Sequence, residues 1–184
     1  MRTLRLSLVG TVILALLGGM GGTVLAQDAE AAPFDEPYQV AGKVFYPRMW
    51  RLLEKTWDDE RQVEGRTHYL ENPIEMDDPR LSGLLRRIWN CETYGGPREA
   101  GLGEVMAART ELVNDDGTWV GTMRGYVAYG PRRHYWQFEL TGTGAYEGHT
   151  ALLWTQGPGG GPQEVEGFVF PGPLPEYPAE LPAE

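Results

Sequence analysis

Residues 140–153 read L-T-G-T-G-A-Y-E-G-H-T-A-L-L, a strand that enters a glycine-aromatic turn and leaves as a second strand. Gly142, Gly144 and Gly148 interrupt β-patterned sequence, as glycines do at bulges, tight bends and points of close backbone approach. Tyr146 sits among them. Ahead of the turn, residues 133–141 alternate cleanly. His134, Trp136, Phe138 and Leu140 share one face while Tyr135, Gln137, Glu139 and Thr141 share the other, the pattern of a strand with one buried and one wet side.

The same period-two rhythm extends in both directions and predicts eight strands, near residues 39–46, 62–70, 84–90, 103–113, 118–129, 133–141, 149–156 and 164–170. Asn114-Asp115-Asp116-Gly117 joins the fourth and fifth as a hairpin, its glycine free to take the positive φ of the turn. Residues 47–58 are the one helical suspect, because Trp50, Leu53 and Trp57 recur at helical spacing after Pro47. They could equally form an extended arm or a cap over a barrel mouth. Even strand spacing without intervening helices leaves a sandwich or a barrel. Gly121 and Gly125 on one face, with Gly65 and Gly167 in other strands, favour coiled strands that turn barrel corners. The expected fold class is all-β, a single eight-stranded antiparallel β-barrel with disordered termini.

The ends read differently. Residues 1–26 combine Arg2 and Arg5, an apolar run and a Val24-Leu25-Ala26 end, which predicts an export signal cut after Ala26. An uncleaved anchor is the alternative. No cysteine lies at the boundary for lipidation. Residues 27–37 read as a flexible leader, 38–170 as the barrel domain, and 171–184, with five prolines, as an extended tail. A secreted, periplasmic or cell-envelope location follows. Without Arg2 and Arg5 the chain keeps 14 basic and 26 acidic side chains, a net charge of −12, which disfavours nucleic acid and anionic lipid as partners. Cys91 has no partner for an intrachain disulfide and reads as a small buried side chain near a strand end.

Residues 142–150, G-T-G-A-Y-E-G-H-T, resemble the G-T-G-aromatic segment of dirigent proteins. They also resemble the G-x-G-A-Y-E-G-x-T segment of bacterial proteins grouped with these in the allene oxide cyclase-like barrel superfamily. Asp78-Pro79-Arg80-Leu81-Ser82-Gly83, Asn114-Asp115-Asp116-Gly117-Thr118-Trp119 and Gly121-Thr122 extend the resemblance over about residues 62–170. It implies an eight-stranded antiparallel barrel. It supplies no reaction signature and no cavity residues, since dirigent proteins steer a phenolic intermediate with interior aspartates and arginines and allene oxide cyclases hold an epoxide in an apolar cavity. Trimers occur among such barrels, so an oligomer is open.

Candidate chemistry is sparse. Ser82, the one serine beyond the signal, lies in L-S-G without a nucleophile elbow and reads as a turn residue. His68, His134 and His149 lack metal-ligand spacing, and Asn114–Gly117 lacks the spacing of a calcium loop; no metal and no cofactor are expected. Asp77, Asp78, Glu147, Arg86, Arg109 and Arg124 are the ionisable groups expected to line or rim the barrel, and Tyr146, Glu147, Arg124 and Asp78 are the named ligand contacts. Six tryptophans and nine tyrosines could line a pocket, but small barrels fill with their own side chains, and plain core packing is expected. The functional expectation is an exported binding or interaction module for a small apolar or phenolic molecule. Alternatives are a cofactor-free cyclase, isomerase or dirigent-like steering protein and a structural envelope protein, so catalysis stays open. A cavity of at least ~300 Å³ with a buried carboxylate or arginine would favour steering, whereas a filled barrel would remove both pocket readings.

Overall fold

The computed structural model describes residues 34–98, 100–130, 133–158 and 161–176. The described chain forms nine strands: β1 (Tyr38–Val44), β2 (Met49–Asp58), β3 (Val63–Met76), β4 (Gly83–Tyr94), β5 (Gly103–Val113), β6 (Gly117–Ala128), β7 (Arg133–Gly144), β8 (His149–Pro158) and β9 (Gln163–Pro171). They make one antiparallel sheet in the order β1-β9-β8-β7-β6-β5-β4-β3-β2, and a further pairing of β1 with β3 closes it into a barrel-like ring.

Eight strands, β1 and β3 to β9, complete the ring and correspond to the eight read from the alternation. β2 is the ninth, and it corrects the helical reading of residues 47–58. β3 is long enough to serve two partners, because its last residues pair with β1 (Val44 opposite Ile74) while its first nine pair with β2 (Met49 opposite Glu71, Asp58 opposite Val63). The register slips at Leu53, between Leu52 and Glu54. Residues directly opposite share a face, so Trp50, Leu52, Lys55 and Trp57 lie on the side of Leu70, His68, Arg66 and Glu64. One bulged residue thus turns strand periodicity into spacing that imitates a helix. β2 is otherwise exposed along almost its whole length.

Inward glycines let the strands coil. A Cβ on Gly121 would collide with the Glu139 carbonyl oxygen, and one on Gly125 with that of Tyr135. The neighbouring strand therefore approaches more closely than any side chain would allow.

The β3–β4, β5–β6 and β7–β8 connections gather at one end of the ring, and the core beneath them is dense. Leu81, Leu85, Leu112, Trp119, Met123, Phe138, Leu140, Leu153 and Val169 are all almost fully buried there. The opening glycine turn belongs to this end. Gly144 and Gly148 take φ of 65° and 83°, returning the chain so that Tyr146 stacks on Trp119 at 5.1 Å and donates its hydroxyl to Asn114 Oδ1 at 2.6 Å. Asn114 also ties Arg80 O and Ser82 O, and Ser82 Oγ accepts from Met76 N–H at 2.8 Å. These contacts make the Asn114–Gly117 loop and Ser82 structural, as their turn chemistry predicts.

The signal reading at residues 1–26 lies outside the described residues, as do residues 27–33 of the leader and 177–184 of the tail. From Phe34 onward the leader is fastened: its carbonyl meets His149 Nε2 at 2.7 Å, and its ring lies under the Arg80 guanidinium at 4.3 Å. The start of the tail is held by Gly172 N–H, which donates to Gly148 O at 2.8 Å.

Candidate functional site

The other half of the ring is not filled. A cavity of about 530 Å³ opens there, lined by side chains from β1 to β7 and by Gln163 of β9. The inward positions explain the difference. Toward the filled end they carry leucine, phenylalanine and tryptophan, whereas toward the open end β3, β4, β5 and β7 place Arg66, His68, Arg87, Cys91, Glu104 and His134 inward. Polar heads need partners and cannot interdigitate as aliphatic chains do. The expectation that aromatic residues simply pack the core therefore holds for one half of the ring and fails for the other.

Trp50 forms one lip. Its Nε1–H donates to His68 Nδ1 at 2.9 Å, and its ring meets Trp89 edge-on at 6.1 Å. Because Nδ1 accepts, the neutral His68 carries its proton on Nε2.

Arg66 is held between two buried carboxylates: it donates to Glu104 Oε1 through Nη2 and approaches Glu64 Oε1 to 3.2 Å through Nε, an ionic contact off the hydrogen-bond line. Lys55 supports Glu64 at 3.0 Å, and Arg98 lies 3.6 Å from Glu104. Two carboxylates face three cations, and the excess positive charge sits on the half-exposed Lys55 and Arg98.

Arg87 is different. It is 2% exposed, and among the described residues it makes no ion pair. Its Nη2 donates to Asn72 Oδ1, its Nη1 reaches the Met123 sulfur at 3.5 Å, and its Nε has no partner. Three rings flank the guanidinium, with centroids at 5.4 Å for Trp89, 5.7 Å for Trp136 and 5.9 Å for Phe138. Burial pushes its pKa down to about 10, so it stays charged at neutral pH. Among the described residues, no group pairs with the buried indole N–H groups of Trp89 and Trp136 or with either ring nitrogen of His134.

The named ligand contacts lie elsewhere. Asp78 caps the turn at Pro79–Leu81, accepts from Tyr38 OH at 2.7 Å and pairs with Arg80. Tyr146 is packed at the filled end, and Glu147 is exposed in the turn beside it. Arg124 faces outward on β6, in a groove with Thr122, Tyr135, Gln137 and Glu139. None of the four lines the cavity, and they do not converge. Asp77 accepts from Ala41 N–H at the filled end, Arg86 lies between Glu71 and Glu111 outside the ring, and Arg109 is exposed. The arginines that line the cavity are Arg66, Arg87 and Arg98. His68 and His134 do face it, but no group of three metal-ligating side chains forms among the described residues. Cys91 is buried, as expected, with its thiol 3.6 Å from Arg66 O and its pKa pushed up by burial.

No protein-family model matches the chain, and no curated protein matches it.

Burial holds His134 below the ordinary histidine pKa, and burial followed by the charges of Arg66 and Arg98 does the same for His68. A base with a depressed folded pKa contributes its full stability above about 6.5, the unfolded value, and loses it as pH falls through the folded value. Thermal melts should therefore show Tm dropping between pH 7.5 and 5.0. The His134→Gln variant should show a shallower decline, and an identical one would remove His134 from this account.

Proposed function

We propose that the protein is an exported binding module of the allene oxide cyclase-like class that takes one small, largely aromatic molecule into the open half of its ring. The cavity carries this reading. Its volume of about 530 Å³ lies within the ~300–1,000 Å³ of small-molecule sites, and apolar walls with a few placed polar groups are their usual lining. Trp89, Trp136 and Met106 supply the apolar contact, while Arg87, His68, His134 and Gln163 supply the polar points. Native mass spectrometry with 2-naphthamide, a neutral bicyclic probe, should show a one-to-one complex at micromolar to low millimolar concentration. Absence of any complex with this amide and with the corresponding acid and phosphate ester would remove the pocket reading.

One observation favours the steering alternative as a second reading. A buried arginine in a cavity can orient a reactive substrate and stabilise charge that develops on it, with cavity shape limiting its conformations. Turnover of a bound cyclisable substrate, lost in Arg87→Met while binding of 2-naphthamide persists, would separate catalysis from simple binding.

A further inference from the structure

The interior holds a cation, Arg87, without a counter-ion among the described residues. A buried charge is costly unless paired, and Arg66 in the same cavity shows the usual solution, with Glu64 and Glu104 both against it. Arg87 has instead one neutral amide, one thioether and three aromatic rings. Cation–π contact with these rings offsets only part of the cost of burying the charge. A guanidinium offers five N–H donors in a planar fork, and Asn72 and Met123 engage two of its nitrogens. The Trp89 and Trp136 indoles beside it, in contact with each other at 6.1 Å, each carry an N–H without an acceptor among the described residues. His134 lies 4.7 Å from Trp136, centroid to centroid, and neither of its ring nitrogens has a hydrogen-bond partner among the described residues. The donors at this point of the cavity outnumber the acceptors.

We infer that the cavity's ligand is an aryl carboxylate whose carboxylate docks on Arg87 and whose ring lies against Trp89 and Trp136. The inference rests on the cavity being a binding site. A carboxylate is acceptor-only, with about four lone-pair positions, and its planar oxygens match the fork of a guanidinium. Charge selects it over a phosphate ester. Arg87 is the buried cation without a counter-ion among the described residues and balances one negative charge, the excess on Lys55 and Arg98 being exposed to solvent, whereas a phosphate carries about 1.5 to 2 at neutral pH.

Isothermal titration of the full chain at pH 7.5 with 2-naphthoate, its neutral isostere 2-naphthamide, and 2-naphthyl phosphate tests the assignment. The acid should bind at least about tenfold more tightly than the amide, the size expected of one charge-assisted hydrogen bond, and more tightly than the phosphate. Arg87→Met should abolish the acid's advantage over the amide, and Arg87→Lys should retain part of it. The ratio in the unaltered protein needs no variant to fold. Amide binding equal to or tighter than acid binding would overturn the carboxylate assignment and leave the cavity reading standing. Preference for the phosphate would reassign the site to phosphate esters. Failure of all three to bind would overturn the cavity reading and this inference with it.

Discussion

Trp119→Ala is expected to destabilise the protein by about 3–5 kcal/mol, as other buried tryptophan truncations do. Trp119 is fully buried and belongs to the continuous core. It stacks nearly parallel on Tyr146 with 13° between the rings, meets Phe34 edge-on at 6.3 Å, and donates Nε1–H to Arg80 O at 2.8 Å. Alanine would leave a void beneath three connections at once. Trp119→Phe keeps an aromatic partner for Tyr146 and removes the N–H donor, so a loss of about 1–2 kcal/mol is expected, the cost of a deleted hydrogen bond and reduced volume. Denaturant titrations of both variants measure these losses. A cost below about 1 kcal/mol for the alanine variant would mean that the filled end does not dominate stability.

Arg66→Met should cost about 3 kcal/mol, because breaking a buried ionic network strands the remaining charges. The side chains of Arg66, Glu64 and Glu104 are 6%, 4% and 8% exposed. Lys55 and Arg98 remain near the two carboxylates, which keeps the loss at the lower end of the range. Adding Glu104→Gln removes one stranded charge, so the double variant should recover part of the loss, giving a coupling energy of about 1–2 kcal/mol in a double-mutant cycle. Additive losses would show that Arg66 and Glu104 act independently.

Strand positions were legible where one face is apolar and the other polar. In β7 the alternation of His134, Trp136, Phe138 and Leu140 reports the interior directly, and all four line the cavity or join the core. In β4 it does not. Leu84-Leu85-Arg86-Arg87-Ile88-Trp89 offers each parity a leucine, an arginine and a large apolar residue, so the inward arginine cannot be told from the outward one until Cys91 and Thr93 fix the phase. That ambiguity puts Arg86, outside the ring, among the sequence candidates and leaves Arg87, inside it, unnamed. In β3, Arg66 and His68 share parity with Leu70 and Ile74, a detectable signal that a reading of charged residues as solvent-facing passes over. The Tyr146 turn has the glycine-aromatic composition of many binding sites, and Tyr146 serves packing. β2 escaped because one bulge reset its period and because exposed tryptophans imitate a helix face.

The central claim is that the open half of the ring is a ligand cavity, and plugging it tests that claim most directly. Val127 lines the cavity from β6 and is only partly buried, so Val127→Trp can extend into free volume without displacing the core. Calorimetric titration of 2-naphthoate should give one-to-one binding to the unaltered protein and a loss of at least about tenfold in affinity for Val127→Trp at unchanged Tm. Equal binding to both proteins would place the ligand outside the cavity and contradict the account.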